Sequence, residues 1–234
     1  MTPPETVPTA VVDLVRWRPE WAPSLASAVE ASLAELAPYM PWATPTYGLA
    51  DARTYIDGSI ADWDAGTNWN YAIVTRAGEV VGSTGLMTRL GPGVLEIGYW
   101  LHTGHAGRGY ATTVAQALAT VGLAQPGIET VVIRHDAANV ASGRVAEKAG
   151  FIRIGSVDVA DGSGVEVRWE RRGAARVPMI ATDVVIEHPP TNPADGEEVV
   201  EVAVLPVAEA VAFLAPEDLI HADVLRLAAE MGLA

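Results

Sequence analysis

Residues 94–124 read VLEIGYWLHTGHAGRGYATTVAQALATVGLA, and this stretch decides the fold. Residues 94–102 have the apolar pattern of a strand, and residues 110–124 have the composition of a helix. The turn between them carries glycines at 104, 107 and 109. Such glycines allow several successive N–H groups to face one concavity at the positive end of a helix dipole, which suits a pyrophosphate. On the glycines alone, an ordinary strand-to-helix connection is an equal alternative.

Three better-known motifs do not fit the chain. The spacing of the turn is G-x-x-G-x-G, whereas a dinucleotide-binding fold has G-x-G-x-x-G. A phosphate-binding loop of the Walker A type needs Gly-Lys-Ser/Thr, and the nucleophile elbow of a serine hydrolase needs G-x-S-x-G. Neither pattern occurs in the sequence.

Further strands and helices surround this unit. A Gly-containing turn at residues 77–78 predicts a hairpin. The order β-α-α-β-β-β-α-β-α-β-β predicts an α/β (α+β) protein, with a mixed sheet flanked by helices. Strands are predicted at 11–17, 71–75, 79–86, 94–102, 130–135, 151–159 and 164–171, and helices at 19–36, 51–63, 110–124 and 137–149.

The bulk composition sets broad limits on function. Half of the 234 residues are hydrophobic, which is typical of a globular protein. The chain lacks both a run of 18 apolar residues and the basic, then apolar, start of a signal peptide. With no cysteine it has neither a disulfide nor a thiolate metal ligand. We therefore expect a cytoplasmic protein that uses no metal and binds no membrane.

Charge is unevenly distributed along the chain. The net charge of −14 argues against nucleic acid as a partner, because phosphate binding needs clustered Lys and Arg. Residues 176–234 carry 2 basic and 11 acidic side chains, so they supply most of this charge. The shift predicts two parts, a main domain at 1–174 and an acidic appendage at 175–234.

Three segments of the main domain resemble the GNAT acetyltransferase superfamily, most closely its RimJ/RimL branch. They are LEIGYWL at 95–101, GRGYATTV at 107–114 and NVASGRVAEKAGF at 139–151. The resemblance implies an acetyl-CoA-dependent N-acetyltransferase whose mostly antiparallel sheet splays between the strands at 96–102 and 130–135. Pantetheine would lie in the gap and the pyrophosphate on the glycine turn.

The resemblance also implies which residues bind the cofactor. A backbone N–H near Trp100 or Leu101 would polarise the thioester carbonyl. The family usually has Arg or Gln where this chain has Ala106, and weaker cofactor binding is expected for that reason. The implied cofactor-binding residues are Tyr99, Trp100, Leu101, Gly107, Arg108, Gly109, Tyr110, Ala111, Asn139 and Ser142.

Catalysis needs a base for the amine and an acid for the leaving thiolate. Glu96 is the candidate base, since apolar neighbours on its strand would raise its pKa. The alternative is a solvated or salt-bridged strand carboxylate. Many members of the family use a tyrosine as the acid, but Ala146 stands at that position. The resemblance to the RimJ/RimL branch points instead to Ser142, which could also simply bond a helix carbonyl or the cofactor.

The predicted acceptor is a primary amine, on a protein N-terminus or a small molecule. Trp42, Tyr71 and Tyr99 are predicted to wall the acceptor pocket, although any one such aromatic residue more often belongs to the core. A catalytically silent acyl-CoA-binding module remains an alternative function, and a homodimer is possible.

The acidic appendage is predicted to fold as ββαα. It resembles the last third of a Nudix pyrophosphatase, but the G-x₅-E-x₇-R-E-x₂-E-E metal box is missing. Without those carboxylates nothing would hold Mg²⁺ for phosphoanhydride cleavage. We therefore expect packing or partner contact rather than Nudix catalysis.

Overall fold

A computed structural model describes residues 2–158 and 164–173 of the chain. The predicted appendage at 175–234, with its ββαα order and its likeness to a Nudix protein, lies outside the described residues. No helix in the described ranges is long and apolar enough to cross a membrane.

One eight-stranded sheet organises the described chain, in the order β1-β2-β3-β4-β5-β6-β8-β7. Neighbouring strands run antiparallel except β5 and β6, which are parallel. The predicted mixed, mostly antiparallel sheet with flanking helices is confirmed. The elements are β1 (Thr6–Pro8), β2 (Val12–Arg16), α1 (Ala22–Ala31), α2 (Leu33–Leu36), α3 (Leu49–Ala65), β3 (Asn68–Thr75), β4 (Val80–Met87), β5 (Val94–Leu101), α4 (Tyr110–Leu123), β6 (Thr130–Asp136), α5 (Val140–Lys148), β7 (Ile152–Asp158) and β8 (Val165–Arg172).

Two local predictions were wrong. Strand β1 was not predicted, because prolines surround it; an edge strand tolerates proline, since one side of its backbone needs no partner. The single helix expected at 19–36 is broken at Ser32. The buried Ser32 hydroxyl donates to Ala28 O at 2.8 Å and accepts the Thr103 N–H at 3.0 Å, which ties this break to the loop after β5.

Apolar residues pack on both faces of the sheet. On one face, Leu95 and Ile97 of β5 pack with Val114 and Leu118 of α4. On the other, β3 and β4 pack against α1 and α3 in a second cluster that includes Ile56. All of these residues are buried, so the sheet is held from both sides and its strand ends have fixed positions.

The sheet opens between β5 and β6, as predicted. Pairing is limited to Val94, Leu95 and Glu96 of β5, which lie opposite Thr130, Val131 and Val132. Beyond Glu96 the two strands follow different partners: β5 stays with β4 as far as Leu101, and β6 stays with β8 as far as Asp136. The result is a V-shaped gap with Glu96 at its vertex.

Candidate active site

A cavity of about 1460 Å³ lies at this gap. It is bounded by β4, β5 and β6, by the start of α5, and by the segment that connects α2 to α3. The cavity therefore joins the strand gap to an aromatic surface on the far side of β5. Nine of the predicted site residues line it: Trp42, Glu96, Tyr99, Trp100, Leu101, Gly107, Ala111, Asn139 and Ser142.

The glycine turn has the backbone of an anion-binding nest. Gly107 and Gly109 have φ angles of 75° and 80°, a region that other residues rarely adopt. The first backbone bond of α4 runs from Thr113 N to Gly109 O, and the amides of residues 107–112 donate to no acceptor among the described residues. Six successive N–H groups at a helix N-terminus suit a pyrophosphate.

Side chains contribute less to this turn than its backbone does. Arg108 is exposed and its Nη2 donates to Gly104 O at 3.0 Å, so the side chain folds back on the turn itself. Ala106 lines the cavity and offers no donor there. Gly109 and Tyr110, like Arg108, belong to the turn but do not line the cavity.

The register of β5 separates the two candidate oxyanion donors. His102 N donates to Val81 O at 2.8 Å, and Trp100 lies opposite Ser83 in the same ladder. Backbone groups of an antiparallel strand alternate between its two neighbours. The backbone of Trp100 therefore faces β4, and the N–H of Leu101 faces the gap.

Tyr99 and Ser142 meet across the gap. The Tyr99 hydroxyl lies 2.9 Å from Ser142 Oγ and donates to the Ser142 carbonyl at 3.2 Å. Burial raises the pKa of Tyr99 to about 12, with the Ser142 hydrogen bond acting in the opposite direction, so the phenol remains protonated at neutral pH. Asn139 caps α5, since its Oδ1 accepts the Ser142 N–H at 3.0 Å.

Glu96 does not have the predicted raised pKa. Its buried carboxylate accepts both Nε and Nη2 of Arg89 at 2.6 Å, and Nη2 of Arg134 at 2.9 Å. Burial alone would raise the pKa, but the hydrogen bonds and charges of the two arginines outweigh it and hold the pKa below its usual range. A low pKa makes a weak base, so the salt-bridged alternative describes Glu96 better.

This ion-pair network spans the vertex of the gap, and its other members were not singled out in the sequence. Arg134 also donates to both Glu166 oxygens at 3.1 Å, which links β5, β6 and β8. A charged residue at the end of the apolar run TVVI is a signal that could have marked Arg134. No sequence signal pairs it with residues 38 and 32 positions away.

The acceptor side of the cavity is aromatic. Trp42, which is 41% exposed, packs its ring 5.9 Å from that of Trp100 and 5.7 Å from that of Tyr47. Tyr71, predicted to share this wall, is instead fully buried in the core, with its ring against Trp63 and its hydroxyl donating to Pro4 O at 2.9 Å. The side chains of a strand alternate between two faces, and the strand register places Tyr71 on the face opposite that of Trp100.

Two carboxylates on this side of the cavity lack a cationic partner within the described ranges. Asp51 Oδ2 accepts the Gly48 N–H at 2.9 Å, and Glu35 lies on the short helix α2; both line the cavity. Neither forms an ion pair there, whereas Arg89 and Arg134 are engaged by Glu96 and Glu166. The wall therefore presents uncompensated negative charge to an incoming amine.

The histidines of the turn have structural contacts. His102 Nδ1 accepts the Gly104 N–H at 2.9 Å, and His105 lies 3.4 Å from Glu79. Across residues 2–158 and 164–173, no three His, Asp or Glu side chains gather as a metal ion would require.

Comparison with known proteins identifies the family. The model of the acetyltransferase (GNAT) domain matches residues 12–152, which is more than half of the chain. The protein belongs to this family: it is an acetyl-CoA-dependent acyltransferase that acts on an amine. No curated protein matches the chain.

Solved structures share the fold. An acetyltransferase from Salmonella typhimurium that modifies the N-terminal serine of ribosomal protein L7/L12 is 24% identical, with 73% of this chain and 100% of that one covered and a TM-score of 0.63. RimJ from Mycobacterium smegmatis, in complex with CoA-disulfide, is 21% identical over 74% and 90% of the two chains, with a TM-score of 0.66. MccE, the microcin C7 self-immunity acetyltransferase in complex with acetyl-CoA and AMP, is 18% identical over 70% and 93%, with a TM-score of 0.65. The predicted family and the likeness to the RimJ/RimL branch are confirmed.

Proposed function

We propose that this enzyme acetylates an α-amine, presented by a peptide N-terminus or by a small molecule of similar shape. The observation that carries the proposal is the pairing of Glu96 with Arg89 and Arg134, which leaves that carboxylate a poor base. The site therefore favours an acceptor whose amine is already partly neutral at pH 7, without help from a base on the enzyme.

The ordinary pKa values of amines make this difference large. An α-amine with a pKa near 8 is about one-tenth neutral at pH 7. A lysine-type amine with a pKa of about 10.4 is neutral in only about one molecule in 2,500 at that pH. Water in the cavity suffices to deprotonate the ammonium form of an α-amine. The ammonium form of a lysine-type amine needs a strong base.

The acceptor side of the cavity suits an ammonium group before it loses its proton. The faces of Trp42 and Trp100 attract a cation, and Asp51 and Glu35 add negative charge. Nearby Asp51 also affects Tyr47: burial first, and then the charges of Tyr55 and Asp51, raise the pKa of Tyr47 to about 12. Its phenol therefore stays protonated beside the acceptor.

The cofactor side supports direct transfer. The nest at residues 107–112 would hold the pyrophosphate, and the unpaired edge of β5 would hold the pantetheine arm. The Leu101 N–H would stabilise the oxyanion when the amine attacks the thioester carbonyl. Ser142 would then donate a hydrogen bond to the departing sulfur, which carries the developing negative charge.

Two peptides of identical length separate the acceptor classes. One has a free N-terminus and no lysine; the other has a blocked N-terminus and one lysine. We expect thiol release from acetyl-CoA with the first at a rate at least 100-fold above the second at pH 7, and mass spectrometry should place the acetyl group on the α-nitrogen. Equal rates, or preference for lysine, would contradict the proposal.

A silent acyl-CoA-binding module is the second candidate, favoured by Ala106 and Ala146, where the family has donor side chains. The same assay decides between the two. If acetyl-CoA binds at micromolar concentration and no peptide or small amine is acetylated, the silent module replaces the proposed function.

A further inference from the structure

The contacts between Tyr99 and Ser142 are the only side-chain hydrogen bonds that the described residues make between β5 and α5. The link crosses the gap in which the thioester would lie. It joins β5 to α5. The Leu101 N–H of β5 would face the thioester carbonyl of acetyl-CoA, and Ser142 of α5 would face its sulfur. Its proton arrangement therefore bears on the departure of the thiolate.

Each hydroxyl carries one proton, so the possible arrangements can be counted. When Tyr99 donates to the Ser142 carbonyl, only the Ser142 proton is left for the 2.9 Å contact between the two hydroxyls, and it points at Tyr99. When Tyr99 donates to Ser142 Oγ instead, the Ser142 proton is free to point elsewhere. The direction of the serine hydroxyl therefore depends on where the tyrosine proton lies.

Local contacts hold Tyr99 and Ser142 in place, so that the two hydrogen-bond arrangements can interconvert. Asn139 accepts the Ser142 N–H at 3.0 Å, which fixes the first turn of α5. The ring of Tyr99 packs against the core cluster beneath β5. Because burial raises the pKa of Tyr99 to about 12, its proton is present throughout the working pH range.

We infer that Tyr99 is a positioning residue that turns the Ser142 hydroxyl toward the sulfur of acetyl-CoA. As negative charge grows on the sulfur, Tyr99 transfers its hydrogen bond from the Ser142 carbonyl to Ser142 Oγ, and the Ser142 proton turns to the sulfur. Without the phenol, the serine hydroxyl bonds a carbonyl one turn back, at Ala138 or Asn139 just before the helix, as serines near helix starts can do. This inference rests on the proposed role of Ser142.

A double-mutant cycle tests the coupling. Wild type, Ser142→Ala, Tyr99→Phe and the double variant are compared for kcat and for the KM of acetyl-CoA with the free-N-terminus peptide. We expect kcat to fall about 100-fold in Ser142→Ala, as for loss of a general acid, and about tenfold in Tyr99→Phe. The double variant should equal Ser142→Ala alone, because Tyr99 acts only through the serine. The KM of acetyl-CoA should stay within twofold throughout.

Tyr71→Phe is the matched control, since it removes one tyrosine hydrogen bond, to Pro4, from the core beneath the same sheet. Its kcat should equal that of the wild type, and the melting temperatures of both phenylalanine variants should fall by similar amounts. A kcat for Tyr99→Phe within twofold of wild type, or losses that multiply in the double variant, would overturn the inference while leaving acetyl transfer in place. A wild type that acetylates no amine would overturn the proposed function first, and this inference with it.

Discussion

The two ends of the cavity differ in the groups that line them: backbone groups at one end and side chains at the other. The cofactor end is made of backbone: amides of the turn at 107–112 and the free edge of β5. The vertex and the acceptor end are made of side chains: the ion pairs of Glu96 and the rings of Trp42, Tyr47 and Trp100. A backbone site depends on local conformation, whereas a side-chain site depends on partners distant in sequence. Substitutions at the two ends should therefore affect different properties of the protein.

The largest effect is expected when a glycine of the turn at residues 107–112 is given a side chain. Gly109→Val forces a β-branched residue into a φ of 80°, which displaces the amides at the start of α4. We expect affinity for acetyl-CoA, measured by calorimetry, to fall about 100-fold, as when several bonds to a charged group are lost together.

Gly127→Val is its control. Gly127 also has a positive φ, of 76°, with nothing within 4 Å of an added Cβ, and it does not line the cavity. Both variants carry the same backbone strain, so an equal loss of affinity in the two would show that strain, and not the nest, is responsible.

A substitution at the vertex of the gap should change the stability of the protein rather than its affinity for acetyl-CoA. Glu96→Gln removes the charge that pairs with Arg89 and Arg134, and we expect the free energy of unfolding at pH 7 to fall by about 2 kcal/mol, discounted because Arg89 is 57% exposed. Glu5→Gln, which weakens an exposed pair with Arg16, should change it by less than about 1 kcal/mol.

This stability difference should depend on pH in one direction. The folded pKa of Glu96 is lowered, so its stabilisation is complete above the unfolded value of about 4.3 and is lost as pH falls through the folded pKa. The gap between wild type and Glu96→Gln in thermal unfolding should thus close below about pH 4. A gap that widens toward acid, or a base-like change in the pH–rate profile, would restore Glu96 as a catalytic base.

These two ends also differ in how far the sequence predicts them. The turn at 104–112 was predicted because glycine spacing, strand and helix are local signals. The vertex was not, because whether Glu96 is desolvated alone or paired depends on Arg89 and Arg134, which only the folded sheet brings together. Tyr71 was wrongly assigned to the acceptor wall for a similar reason: alternation shows that the two faces of a strand differ, but not which of them carries the acceptor wall. The hydroxyl of Ser32, where the helix breaks, is bonded to Thr103, 71 positions away.

The aromatic wall should affect the acceptor and not the cofactor. Trp42→Ala removes an exposed ring that packs on Trp100, and we expect the KM of the peptide to rise about tenfold, near the upper range for one cation–π and packing contact. The KM of acetyl-CoA should not change in steady-state kinetics. A matching rise for acetyl-CoA would mean that the two ends of the cavity are not separable.

The smallest effect is expected from adding a donor to the cofactor end. Ala106→Arg places a cation at a cavity-lining position beside the nest, and affinity for acetyl-CoA should rise about fivefold at low salt, as for one exposed charge contact. The gain should shrink as salt is added. Unchanged affinity at every salt concentration would show that the pyrophosphate does not reach this position.

The central claim is that backbone amides of the turn and of β5 hold acetyl-CoA, and amide NMR of the labelled protein tests it most directly. On titration with acetyl-CoA, the account predicts the largest shifts at the amides of residues 107–112 and of Leu101, with Gly127 unmoved. Large shifts elsewhere, with these amides unchanged at saturation, would contradict it.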